Sequence, residues 1–400
     1  MNAVGIIAEY NPLHNGHLYH IEEAKRLAGS DAVVVAMSGD YVQRGEPAIL
    51  DKWERTELAL KHGADIVVEI PTLFCLGNAM QYGKAGIGIL ESMSSVKYLA
   101  FGSESGEIDD LIRIAANINS RQEEIDRIIT ELIKSGYSYP RARSVAYSEI
   151  FDDSKGRIVL EGSNDILALE YLKACKRLRP IAVKRVGADY NGMIDPDMRF
   201  QSATAIRTEL LNRKDITDYV PMDVSAAIEQ AKFSDHLTYP DDWMNTLKYA
   251  VMSMTAEEID ACPSGGEGLG NRIKPLISEA KNWDEFVESV KSKRYTHTRI
   301  SRLCMQIILG INRENFESEQ AQYVRVLGFS KKGREMIADM SNDDSLPMIT
   351  NINKQRELFT NEGLRQMELD VHAANIYNLV TGRDQVSCSD FRMIPVMTDN

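Results

Sequence analysis

The stretch Ile6-Ile7-Ala8-Glu9-Tyr10-Asn11-Pro12-Leu13-His14-Asn15-Gly16-His17-Leu18 joins a short apolar run to a helical pattern. The run AVGIIA at 3–8 has the length and β-branched content of a strand buried on both faces, and residues 17–28 follow it as a helix. Two histidines separated by Asn-Gly therefore stand at a strand-to-helix turn. Doubly wound sheets bind ligands at the carboxyl ends of their strands, with the next helix pointing its amino terminus at the site. Gly16 lets a phosphate approach the backbone closely. Imidazoles placed there can donate hydrogen bonds to phosphate oxygens and stabilise the charge that builds up when an α-phosphate is attacked in line. Taken alone, the pattern equally fits two histidines that cap a helix, with His20 a surface residue one turn on. A metal site is not expected, because His14 precedes the helix and no acidic or Cys ligand accompanies the cluster.

Outward from this turn, the runs AVVVAM (32–37), DIVVEI (65–70), VKYLAFG (96–102) and IAVKRV (181–186) alternate with helical patterns, the signature of βα units around a parallel sheet. A helix over 51–62 ends at Gly63, a plausible C′ glycine. Residues 107–150 read as a helical insertion before the last strand. Beyond about residue 215 the strand signal fades and helical patterns dominate, at 241–256, 271–281, 283–293, 297–311 and 362–380. The expectation is an α/β Rossmann-like catalytic domain over 1–215, followed by a mainly helical region over 216–400.

Composition narrows the class. The 400 residues are 44% hydrophobic and 26% charged, which excludes fibrous and disordered chains. A formal net charge of −13 excludes a uniformly basic nucleic-acid coat but leaves local basic patches open. The five cysteines are scattered, with no CxxC pair, as in reduced cytosolic thiols. No apolar stretch of about 18 residues and no signal-peptide pattern occurs, so a cytoplasmic protein without membrane contact is expected. Oligomeric state is not written in the sequence.

A second phosphate signal is Ser202-Ala203-Thr204-Ala205-Ile206-Arg207, which opens a helical pattern after the last strand. Hydroxyls and backbone N–H groups at a helix amino terminus, with Arg one turn later, form an anion cradle. By itself the hexapeptide equally reads as an ordinary Ser cap with a solvated arginine. Together with HxGH it resembles the HIGH-motif nucleotidylyltransferase superfamily, except that Ala203 stands where that pattern often has a serine. Over nearly the whole chain, the sequence resembles the bacterial tRNA(Met) cytidine acetate ligase family. The resemblance rests on AEYNPLHNGH, MSGDYVQRGEPAILDKWERTELALKHGADIVVEIP, FGSE, SNDILALEYLKA, KRVGADYN and SATAIR, with KRYTHTRISRL and YVRVLGF later.

The resemblance implies ATP-dependent activation of acetate to an acetyl-adenylate, then acetyl transfer to N4 of the wobble cytidine (C34) of elongator tRNA(Met). It implies that His14 and His17 stabilise the α-phosphate and that the run Ile7, Ala8, Glu9, Tyr10, Asn11, Pro12, Leu13, His14, Asn15, Gly16, His17, Leu18, Tyr19, His20 forms the ATP pocket. By the same resemblance Gly102 lets the nucleotide approach, Asn164, Arg185 and Val186 border the adenosine, and Ser202, Thr204 and Arg207 hold the leaving phosphates. Mg²⁺ commonly accompanies ATP.

The segment 38–47 is long for a βα loop and should overhang the same face. Arg44 could neutralise acetate or a phosphate, and Asp40 could assist the attacking amine or hold a cation. A salt-bridged surface loop is the alternative. Lys52 and Arg55 read as the solvated face of a helix, and Glu69 and Pro71 as shaping the acetate side. The 291–334 segment carries ten basic residues against three acidic ones. Within it Lys291, Lys293, Arg294, Arg299 and Arg302, with Tyr295 interleaved, are the expected tRNA contacts, the tyrosine stacking on an unpaired base. Phe329-Ser330-Lys331-Lys332-Gly333 reads as a helical decoy of a synthetase lysine-serine loop. Two other classes compete: an adenylyl- or cytidylyltransferase acting on a small phosphorylated metabolite, and a non-catalytic RNA-binding protein on a degenerate nucleotide fold.

Overall fold

The computed structural model describes residues 1–399 except 138, 151–162, 187–193, 196, 197, 199, 293, 314–317 and 341–345. Strand β1 (Ala3–Ala8) passes through the HxGH turn into α1 (Asn15–Ala28) and β2 (Ala32–Ser38). A small hairpin of β3 (Tyr41–Val42) and β4 (Glu46–Pro47) precedes α2 (Lys52–Lys61) and β5 (Ile66–Ile70). The short α3 (Thr72–Cys75) and α4 (Ala79–Ser92) cross to β6 (Val96–Ser103). Helices α5 (Ile108–Ser120), α6 (Gln122–Lys134), α7 (Tyr139–Ile150) and α8 (Ser163–Ala174) lead to β7 (Arg179–Lys184).

Then come α9 (Ala203–Leu211) and α10 (Met222–Phe233). The helical group is α11 (Met244–Ser253), α12 (Ala256–Asp260), α13 (Leu269–Ile277), α14 (Trp283–Val290) and α15 (His297–Ile308). The chain finishes with β8 (Val324–Ser330), α16 (Lys331–Met340), β9 (Met348–Ile349), α17 (Asn361–Val380) and β10 (Val396–Thr398).

The sheet order is β10-β8-β5-β2-β1-β6-β7, with β9 beside β8. β1 is central, and its parallel register sets Val4 against Val33 on β2 and against Tyr98 on β6. The chain builds outward from β1 to β5, then crosses back to β6. The strand order therefore reverses between β1 and β6, where such sheets open a crevice. β2 is buried along its whole length, which is why AVVVAM shows no polar alternation. One apolar cluster gathers α4 to α8 on one face of the sheet, and another gathers α1, α2, α9 and α10 on the opposite face. A third lies within α11 to α15 and reaches Tyr41 of the hairpin and Tyr377 of α17.

The sheet is mostly parallel, as expected, and departs from that pattern at one edge of the amino-terminal strands. β8 pairs antiparallel with β5, setting Ile66 against Phe329, so the region read as helical supplies three strands to the sheet. The physical reason is the open edge of β5, which the five amino-terminal strands leave unpaired and the apolar run of β8 covers. Phe329-Ser330-Lys331-Lys332-Gly333 is accordingly a strand-to-helix junction, not a helical stretch. A Cβ on Gly333 would fall 2.0 Å from the Asp65 carbonyl oxygen, so this turn packs directly on the amino-terminal half.

Lys52 and Arg55 are not solvated either, each being 1% exposed. Lys52 Nζ lies 2.8 Å from Glu69 and 2.7 Å from Asp390, and Arg325 contacts the same two carboxylates at 3.1 and 2.6 Å. Arg55 donates to the carbonyls of Glu9, Ser38, Gly39 and Leu50, satisfying loop backbone that water cannot reach. Helical periodicity assigned these cations to the outer face. The carboxy-terminal segment covers that face.

Candidate functional site

A cleft of about 470 Å³ opens where β1 and β6 diverge, within the range of small-molecule sites. His14 caps α1: its Nδ1 accepts the Gly16 N–H at 3.1 Å, and its own N–H donates to His17 Nδ1 at 3.3 Å. The rings stack with centroids 3.6 Å apart. Burial pushes His14 down to about 3, with Arg185 and Arg207 adding to the effect. Burial also holds His17 well below its ordinary value, helped by His14, His20 and Arg185. Both imidazoles are thus neutral. With Nδ1 accepting, each carries its proton on Nε2, and both line the cleft as uncharged N–H donors. The capping and phosphate readings of HxGH are therefore compatible: Nδ1 does the first, and Nε2–H is left for the second.

Gly16, expected to let a phosphate approach the backbone closely, lines the cleft and has a second role beside His14. Its N–H is taken by His14, and a Cβ there would fall 3.0 Å from His14 Cε1, so glycine makes room for the imidazole. His20 lines the cleft with its Nε2 buried, and is no surface residue; burial lowers it to about 4.

Ile7, Ala8, Glu9, Tyr10, Tyr19 and His20 line the cleft. Asn11, Pro12, Leu13, Asn15 and Leu18 do not. Asn11 supports the site instead, its side-chain oxygen accepting from Ile49 N and its carbonyl from Arg207. On the β6 side, Gly102 leaves open space, since a Cβ would meet nothing closer than 3.6 Å. Behind it, Glu104 accepts from Asn164 and Asp165, and Asp165 accepts from Ser103 Oγ, locking FGSE to the start of α8. Arg185 donates to Asn164 Oδ1 at 3.2 Å, and Arg185 and Val186 form the rim. The rest of KRVGADYN, from residue 187 on, lies outside the described residues.

At the opposite wall, Ser202 caps α9 by accepting from Ala205 N, and Ser202, Thr204 and Arg207 all line the cleft. Arg207 is not solvated: it donates to the Asn11 carbonyl at 2.8 Å and pairs with Glu46 at 3.4 Å. Arg44 reaches the cleft from the hairpin turn. Burial lowers its guanidinium from the ordinary value; Glu9 opposes this, Arg207 reinforces it, and Glu46 opposes it again.

Two expected site residues lie elsewhere. Asp40 is 5% exposed, accepts the Lys52 backbone N–H at 2.9 Å, belongs to the buried ionic cluster and does not line the cleft. Burial raises its carboxyl, with Lys52 opposing. Glu69 is buried in the same cluster.

The basic segment is divided. Lys291 and Arg294 are exposed, Lys291 pairing with Glu288. Lys293 lies outside the described residues. Tyr295 is 7% exposed, beneath the Arg299 guanidinium, and cannot stack on a base without moving. Arg299 donates to the carbonyls of Ser264 and Gly265, and Arg302 donates to that of Gln43. Sequence reasoning missed Gln43, Tyr82, Tyr171, Phe200 and Thr298 in the cleft wall. Thr298, near the start of α15, had a signal in the KRYTHTRISRL resemblance, but only packing brings it to the cleft. Among the described residues, no group of three or more His, Cys, Asp or Glu side chains is placed to hold a metal ion, and no helix is long and apolar enough to cross a membrane.

The family described as HIGH Nucleotidyl Transferase matches residues 1–390. The tRNA(Met) cytidine acetate ligase of Clostridium novyi is 36% identical over 407 residues, covering 99% of both chains. That of a Thermoanaerobacter species is 34% identical over 400 residues, covering 98% of both. The crystal structure of Thermotoga maritima TmcAL in its apo form superposes with a TM-score of 0.93 at 31% identity, over all of both chains. The same protein bound with alpha-thio ATP superposes at 0.91 and 32% identity, again over all of both. On sequence and fold alike, the chain belongs to the HIGH nucleotidyl transferase family and, within it, to the tRNA(Met) cytidine acetate ligases.

Proposed function

We propose that this chain uses ATP to activate acetate as acetyl-adenylate and then acetylates N4 of the wobble cytidine of elongator tRNA(Met), in the cytoplasm. The observation that carries the reading is the convergence on one cleft of two neutral Nε2–H donors, the amino ends of α1 and α9, and the Arg207 and Arg44 guanidiniums. In the first step an acetate oxygen bonds to the α-phosphorus while its bond to the bridging oxygen of pyrophosphate breaks. His14 and His17 donate to the α-phosphate oxygens as charge builds there, without first losing a proton. Thr204, Arg207 and Arg44 receive the leaving pyrophosphate.

In the second step N4 of cytidine attacks the acetyl carbonyl, AMP leaves and the amine loses a proton. A cytosine amine is a weak nucleophile, so the mixed anhydride must be kept from water; Tyr10, Tyr82 and Tyr171, which line the cleft, are suited to that end. Mg²⁺ enters with the triphosphate. Lys291, Lys293 and Arg294 are the proposed tRNA contacts; Lys291 and Arg294 are exposed and precede α15, whose Thr298 lines the cleft.

Acetate-dependent exchange of labelled pyrophosphate into ATP, without tRNA, tests the first step. Exchange that needs acetate is the expected result. Exchange that ignores acetate and needs a phosphorylated metabolite would establish a small-molecule adenylyltransferase instead.

A further inference from the structure

The hairpin turn Gln43-Arg44-Gly45 is tied on three sides. Gln43 N donates to Glu9 Oε1 at 2.9 Å, at the end of β1. Glu46 pairs with Arg207 of α9 at 3.4 Å. The third tie comes from the carboxy-terminal half: Arg302 of α15 donates from Nη1 to the Gln43 carbonyl at 3.3 Å. Gly45 has φ +82°, and a Cβ on it would fall 2.2 Å from Arg302 N and 2.5 Å from the Ser301 carbonyl carbon, so turn and helix touch backbone to backbone. Arg302 Nε is buried without a partner among the described residues. Burial pushes the guanidinium down to about 10, with Arg299 adding to the effect. A buried guanidinium whose acceptor is a main-chain carbonyl of the turn is poorly placed for an RNA phosphate and well placed to hold that turn.

We propose that Arg302 is a positioning residue for adenylate formation: through the Gln43 carbonyl it fixes the turn that aims Arg44 at the phosphate end of the cleft. This rests on the function proposed above. It assigns to α15, more than 250 residues along the chain from the hairpin, a share in the ATP half-reaction that tRNA contact alone would not give it. Both main-chain groups of Gln43 are occupied, one by the strand that carries the histidine turn and one by the helical region. Releasing either loosens the turn that carries Arg44.

The test measures acetate-dependent ATP–pyrophosphate exchange per folded site, together with ATP KM, tRNA Kd and melting temperature, on wild type, Arg302→Ala, Arg302→Lys and Gly45→Ala. The expected result for Arg302→Ala is a fall in kcat of at least tenfold, with KM for ATP within threefold and tRNA Kd within twofold. Arg302→Lys, which keeps a donor for the Gln43 carbonyl, restores kcat to within threefold of wild type. Gly45→Ala, which wedges turn and helix apart from the other side, reproduces the alanine pattern. Unchanged exchange with a tenfold weaker tRNA Kd would make Arg302 an RNA contact and overturn the proposal. So would a loss of kcat that follows the lost melting temperature and is not rescued by lysine. Wild type without acetate-dependent exchange overturns the proposed function itself, whereas exchange equal in wild type and all variants overturns this inference alone.

Discussion

His14 and His17 lie ring against ring, their planes 25° apart, and each accepts a backbone N–H on Nδ1. One nitrogen of each ring is thus structural, and the other is left for the proposed chemistry. Asparagine at position 14 can still accept the Gly16 N–H, so His14→Asn separates the two roles. The expected outcome is a melting temperature close to wild type with pyrophosphate exchange down about 10²–10³-fold, the cost of removing one transition-state donor. His14→Ala should lose the same activity and, in addition, about 1 kcal/mol of helix cap. Equal exchange in wild type and His14→Asn would refute a chemical role for Nε2.

The lowered histidines also set a pH dependence. A His held near 3 in the folded protein binds protons less readily than in the unfolded chain, where its value is ordinary. Its contribution to stability is complete above the unfolded value and is lost as pH falls toward the folded one. At pH 5 this amounts to about 2 kcal/mol for His14. Wild type should therefore lose more stability than His14→Asn between pH 7 and pH 5 in denaturant titrations; parallel losses would contradict the neutral-pair assignment.

Lys52 is held between Asp390 and Glu69, two carboxylates from opposite ends of the chain. Against the desolvation that burial imposes, these carboxylates raise its ammonium above the ordinary value. Lys52→Ala leaves buried anions short of a partner and should destabilise by about 3–5 kcal/mol. It should also free the segment around Asp390, which limited proteolysis would detect as new cleavage there. A variant as stable and protease-resistant as wild type would show that Arg325 alone suffices.

Arg294 and Arg299 are five residues apart and should behave differently. Arg294 is exposed, so Arg294→Ala should weaken tRNA binding a few-fold and lower the salt slope by about 1, with exchange unchanged. Arg299 is bound to two loop carbonyls and stacked on Tyr295. Arg299→Ala should cost about 1–2 kcal/mol of stability, seen as a lower melting temperature. If the two variants have the same effect on tRNA, the division of the patch is wrong.

All five strands expected from short apolar runs are present, and the cleft lies at the turn the two histidines mark. That much was legible because periodicity and turn chemistry are local. Asp40, Lys52, Arg55 and Glu69 were misplaced for the opposite reason. Asp390 and Arg325, the partners of Lys52 and Glu69, arrive from more than 250 residues away, while Arg55 turns inward onto the carbonyls of Glu9, Ser38, Gly39 and Leu50 and Asp40 onto Lys52, and nothing near α2 announces either. β8 was missed likewise: a seven-residue apolar strand among helices has no meaning until the open edge of β5 is known. Tyr295 was read as an RNA platform because an exposed and a buried tyrosine look the same in sequence. Gly102, Asn164 and Arg185, which line the cleft and are expected beside the adenosine, came through family resemblance, since their spacing alone carries no recognisable pattern.

The most direct test is to supply the purified protein with ATP, Mg²⁺, labelled acetate and bulk bacterial tRNA, digest the tRNA and examine its nucleosides by mass spectrometry. The account predicts labelled N4-acetylcytidine that depends on ATP and disappears with His14→Asn. Unlabelled tRNA from a protein that exchanges pyrophosphate only with a phosphorylated metabolite would contradict it.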